Sequence, residues 1–202
     1  MASSRSGSID LYWLPLGAGG HFVRLNGRAF EAVAARRARR SRCDLYHSAL
    51  EVRLDAARWV IEMAPVWNLA VPERGAVCEG PVGLAALGRL RLFRYEVRCW
   101  PEGTIPDVAE AVDGPVRVSS RASSAAHVLN LAPRFPARTW GADEQRTGDM
   151  WNSNSLTSWL LARSGHDMSA VRPPPGGRAP GWTAGVVVAA REQGRSDLSD
   201  SG

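Results

Sequence analysis

YHSALEV at residues 46 to 52, followed after a short polar turn by RWVIEMAP at 58 to 65, is the stretch that decides the fold. Both halves are rich in strand formers, so CDLYHSALEVRL (43–54) and ARWVIEMAPVW (57–67) predict an antiparallel hairpin. The hairpin carries His47 on one strand and Glu62 on the other, among the apolar Val60, Ile61 and Met63. A carboxylate in such company is costly unless it is paired, and an opposed imidazole is one partner. A core histidine beside a solvent-facing glutamate fits the same letters.

A second string, MWNSNSLTSWLLARSG (150–165), lies about a hundred residues further on. It reads as a helix capped by Asn152 or Ser153, running to about Arg163 and ended by Gly165. At 3.6 residues per turn Ser153 shares a face with Leu156, Thr157 and Leu160, so its hydroxyl points inward at the helix mouth. There it lies beside free backbone donors and the positive end of the helix dipole, where an oxyanion is stabilised. A serine that only caps a helix is the plainer reading.

Around these strings, IDLYWLPL (9–16) predicts an opening strand, HFVRL (21–25) a second and GRAFEAVAARRAR (27–39) a helix. GPVGLAALG (80–88) reads as a short helix or turn. RLRLFRYEVRCW (89–100) reads as a strand with one wet face and a bulge near Phe93 and Arg94. Short helices are expected over 105–112 and 123–133, a long loop from Arg134 to Met150, an extended connector over 172–182, and a last buried strand in TAGVVVAA (183–190). Residues 1–8 and 192–202 are rich in Ser, Gly and charge and predict disordered ends, leaving one domain over 9–191.

All 25 basic residues are arginine, which removes Schiff-base chemistry and lysine-dependent phosphate loops. The net charge of +5 is modest for 202 residues, and the run ARRARRSR (35–42) lacks interleaved aromatics, so a solvated helix end explains it better than nucleic acid does. Cys43, Cys78 and Cys99 have no CxxC spacing and the four histidines share no ligand spacing; no metal and no cofactor is expected. No apolar run is long enough to span a bilayer, and cysteine usage fits a reducing cytoplasm. The eight tryptophans are expected in the core or in pocket walls, with Trp151 and Trp159 flanking the helix mouth.

YHSALEV with WVIEMAP resembles the histidine strand and succeeding strand of the circularly permuted papain-like superfamily, which includes the lecithin:retinol acyltransferase-like proteins. NSNSLTSWLLARSG resembles that group's nucleophile helix, which typically opens with Asn-Cys. The order of histidine strand, acid strand and C-terminal nucleophile helix is the permuted one. The resemblance implies a single α+β domain, an antiparallel sheet packed against the nucleophile helix, with Ser153 where the family has cysteine and Glu62 where a histidine is frequent. It implies acyl transfer on a small-molecule, lipid or peptide amide, ester or thioester, with Ser153 attacking, His47 as base and Glu62 orienting it. Asn152, Asn154 and Trp151 would then contact substrate. On this reading Ser153 Oγ lies within about 5 Å of the His47 ring. Serine needs a base to remove its proton where cysteine offers a thiolate, so the alternative is a degenerate domain that binds without chemistry. An arginine-mediated nucleic-acid binder is the third reading.

Overall fold

The computed structural model describes residues 5–16, 31, 35, 36, 39–66 and 75–199. The predicted hairpin is there: β2 (Tyr46–Leu54) and β3 (Ala57–Pro65) pair antiparallel from Leu50↔Ile61 to Leu54↔Ala57. Asp55 turns the chain in the left-handed region at φ 55°, which a short polar side chain tolerates. β1 (Gly7–Pro15) pairs with β2 along its whole length without a bulge. β4 (Ala76–Pro81), β5 (Arg94–Pro101) and β6 (Val116–Ser119) complete a six-stranded antiparallel sheet in the order β4-β5-β3-β2-β1-β6.

One face of this sheet carries Ile9, Leu11, Trp13, Tyr46, Leu50, Val52, Ile61, Met63, Tyr95 and Val97. Against it pack α1 (Ala122–Leu131) and α2 (Ser153–Arg163), while α3 (Trp182–Ser199) lies on α2 and brings Trp182 to Trp13. Strand alternation sends the intervening side chains to the second face. There Leu14, Ala49, Val60 and Ile105 form a small apolar cluster. Beside it are buried charges: Asp10, Glu51, Glu62, Glu96 and Arg98. The expected α+β class and antiparallel sheet with a packed helix are therefore present.

Several expectations are corrected. TAGVVVAA is not a strand but the first half of α3, and the helix continues to Ser199 through residues expected to be disordered. The valine run favours a strand locally, but Ala184, Val188 and Ala189 lie on the face that joins the core, and tertiary packing overrides propensity. A Cβ on Gly185 would stand 2.1 Å from Ser158 Oγ and 2.2 Å from the Ser155 carbonyl oxygen, so a side chain is excluded where α2 and α3 touch. Leu90 and Leu92 are not in a strand: 85–93 folds into two 3-10 turns, and β5 starts at Arg94. The 105–112 helix reduces to the turn Val108–Glu110. At the N-terminus, Gly7 and Ser8 already belong to β1. The strand expected over 21–25 and most of the helix over 27–39 lie outside the described residues.

Candidate functional site

Asn152, extended at φ −164°, caps α2 with its side chain: Oδ1 accepts from the backbone N–H of Asn154 at 2.9 Å and of Ser155 at 3.4 Å. Ser155 closes the box by accepting from Asn152 N–H at 3.1 Å and donating to the Gly181 carbonyl at 2.8 Å. Asn152 Nδ2 donates to the Pro180 carbonyl at 2.8 Å. Gly181 sits at φ +91°, where a Cβ would come within 2.1 Å of Asn152 Oδ1, so this contact needs glycine twice over.

Asn154 fastens the helix to the sheet. Its Nδ2 donates to the carbonyls of Tyr46 at 2.9 Å and Pro180 at 2.8 Å, and its Oδ1 accepts from Ser48 Oγ at 2.8 Å. Two strings about a hundred residues apart thus do meet, NSN of α2 against YHS of β2. They meet through Asn154 and Ser48 rather than through Ser153 and His47.

The expected triad does not converge. Ser48 points to α2, so its neighbour His47 points to the second face, beside its register partner Leu14 and close to Asp107. Ser153 is buried at the mouth of α2 on the first face, and among the described residues its hydroxyl makes no hydrogen bond. Glu62 shares the second face with His47 but is held by Arg98, whose Nη1 donates to Glu62 Oε1 at 2.9 Å. Asn152, Asn154 and Trp151, expected to contact substrate, are engaged with the protein itself. Both amides are spent on the protein, and the Trp151 ring is stacked on Phe135 at 5.0 Å inside the core.

Electrostatics separate these groups further. Burial lowers the pKa of His47 to about 4, against a weaker upward pull from Asp107, so the ring is neutral at pH 7 and a feeble base. Burial raises Glu62, and Arg98 opposes that. The thiols of Cys43, Cys78 and Cys99 are all raised by burial, so none is a thiolate near neutrality.

His47 makes stability depend on pH. Its folded pKa lies below 6.5, so between about 4 and 6.5 the unfolded chain binds more protons and stability rises with pH. The contribution is complete above 6.5 and lost as pH falls toward 4; at 1.36 kcal/mol per pH unit across that window it amounts to about 3 kcal/mol. Urea unfolding from pH 4 to 7 should show this slope in the wild type and a much flatter one in His47→Gln. Equal slopes would remove His47 from the account.

Sequence reasoning missed the charges of the second face. Arg98 Nε donates to Glu96 Oε1 at 2.5 Å as well as Nη1 to Glu62, and all three side chains are buried. Glu51 is paired with Arg53 and Arg58, and Asp10 with Arg117. The signal was the alternation in RYEVRCW, where a wet face was expected; that face is covered.

The ends of β1 and β2 border a cleft of about 950 Å³, lined among others by Leu16, Glu31, Arg42, Cys43, Asp44 and Tyr46. Glu31 accepts from Arg40 at 2.5 and 3.0 Å and from the Cys43 N–H at 3.0 Å, and the guanidinium holds its pKa down at about 2. Arg42 and Asp44 are exposed at this cleft, with no ion-pair partner among the described residues. Among the described residues there is no cluster of metal-ligating side chains and no helix long and apolar enough to cross a membrane. Compared with protein-family models, characterised proteins and solved structures, the chain matches none.

Proposed function

We propose that this chain is a ligand-binding domain laid out like the permuted papain-like families but without their covalent chemistry. The layout is supported by the order of elements and by the seating of the α2 N-terminus on the strand that carries His47. The loss of chemistry rests on one observation above all: the only base the motif supplies, His47, is on the other side of the sheet from Ser153. The Asn154 and Ser155 amides that would hold an oxyanion are already bonded to Asn152 Oδ1.

The ligand site is the cleft at the ends of β1 and β2. Its volume suits a short ligand, and Arg42 and Asp44 offer both signs of charge, the chemistry that holds a peptide segment. Three measurements test this reading. A fluorophosphonate probe should leave the protein unlabelled, and Ser153→Cys should gain no iodoacetamide reactivity at neutral pH. Labelling of wild type that disappears in Ser153→Ala would restore the acyl-transfer reading. Peptides selected on the wild type from a displayed random library should bind at least about tenfold more weakly to Arg42→Glu or Asp44→Arg. Peptides indifferent to both would put the site elsewhere.

A further inference from the structure

The loop between β4 and β5 is closed at its neck and carries exposed leucines. Val82 N–H donates to the Phe93 carbonyl at 2.8 Å and Gly83 N–H to the Trp140 carbonyl at 2.9 Å. Arg94 braces the base, with Nε on the Gly88 carbonyl at 2.6 Å and Nη1 on Glu79 at 3.1 Å. The loop is thus fixed in a shape that leaves Leu84, Leu90 and Leu92 outward while Leu87 is partly buried. Leu84, Leu90 and Leu92 are 64%, 56% and 63% exposed, and they are three of the five large apolar side chains exposed among the described residues.

Arg89 and Arg91 alternate with Leu90 and Leu92, are themselves exposed, and have no ion-pair partner among the described residues. Residues 82–93 contain no acidic residue. A braced loop with exposed leucines and, beside them, arginines that have no ion-pair partner among the described residues is complementary to one kind of surface, acyl chains beneath anionic headgroups. A protein interface would call for aromatic anchors and a broad contact area. The loop lacks such an anchor, since its one aromatic residue, Phe93, is partly buried.

We propose that Leu84, Leu90 and Leu92 with Arg89 and Arg91 form a docking point for an anionic phospholipid surface, holding the domain on a membrane peripherally. The leucines insert at the headgroup boundary and the guanidiniums pair with lipid phosphate. This surface is separate from the β1–β2 cleft and does not depend on what the cleft binds.

Vesicle flotation of the full chain tests it, with phosphatidylcholine vesicles against vesicles also containing phosphatidylserine. Wild type should float with the anionic vesicles and not with the neutral ones. Replacing all three leucines by serine, and separately Arg89 and Arg91 by glutamine, should each weaken binding about tenfold or more, the second also flattening the salt dependence. All five substitutions are at exposed positions, so circular dichroism of the variants should match wild type. Failure of the wild type to float with anionic vesicles overturns the proposal. So does unchanged flotation of the leucine variant, which would mean general attraction of a basic protein, or wild-type self-association abolished by the leucine changes, which would assign the patch to a second copy of the chain.

Discussion

Asn154→Ala is expected to destabilise the protein by about 3 kcal/mol, while Ser153→Ala next to it costs less than about 1 kcal/mol. The difference follows from what each side chain touches. Asn154 bonds Tyr46, Pro180 and Ser48 from a position 2% exposed, and alanine there strands the Tyr46 carbonyl and the Ser48 hydroxyl on β2, while Pro180 keeps its bond from Asn152. Each buried hydrogen bond contributes about 1 kcal/mol, and an orphaned carbonyl adds its own desolvation cost. Ser153 has no such bond among the described residues. Urea unfolding of both variants at neutral pH measures the contrast. A Ser153→Ala protein as unstable as Asn154→Ala would mean that the serine, rather than the asparagine, ties the helix down.

The other large effect is at the second face. Arg98→Met should cost about 3–5 kcal/mol at pH 7, because it leaves Glu62 buried with the Glu96 carboxylate nearby and their shared cation gone. The deficit should shrink on mild acidification. Burial already raises Glu62, and removing Arg98 deletes the group that pulls it down, so the folded variant binds a proton more tightly than the unfolded chain. Under that inequality stability falls as pH rises through the window between the unfolded and folded pKa values, and lowering pH from 7 toward 5 restores it. Adding Glu62→Gln to Arg98→Met should recover part of the loss at pH 7 and reduce the pH dependence. A pH-independent deficit would locate the damage in packing rather than in charge.

The hairpin, the opening strand and α2, with its cap at Asn152 or Ser153, were legible in the sequence because each is a local pattern: alternation, a short polar turn, a polar pair before an apolar helix. What was not legible is the parity of β2. Shifting attention by one residue, from His47 to Ser48, exchanges the two faces of the sheet, and nothing in YHSALEV states which face the distant helix will take. The same single-residue step separates Ser153 from Asn154. The polar groups that meet are therefore the neighbours of the ones that chemistry would choose. TAGVVVAA failed for the opposite reason, since its local preference is for a strand and only contact with α2 across Gly185 makes it a helix. The ion pairs of the second face join residues such as Glu62 and Arg98 on strands whose adjacency depends on the whole sheet order.

That order has a consequence during synthesis. β1 gains its first neighbour when β2 emerges, but its other edge waits for β6; Asp10 and its partner Arg117 are 107 positions apart. At translation rates of about 5–20 residues per second this amounts to several seconds in which Ile9 to Leu11 border an open sheet edge. Asp10 lies in the middle of that edge, and a carboxylate pointing from an unfinished edge discourages pairing with the same strand of another nascent chain. The charge later neutralised by Arg117 is thus placed to protect the strand while the residues that will cover it are still being made.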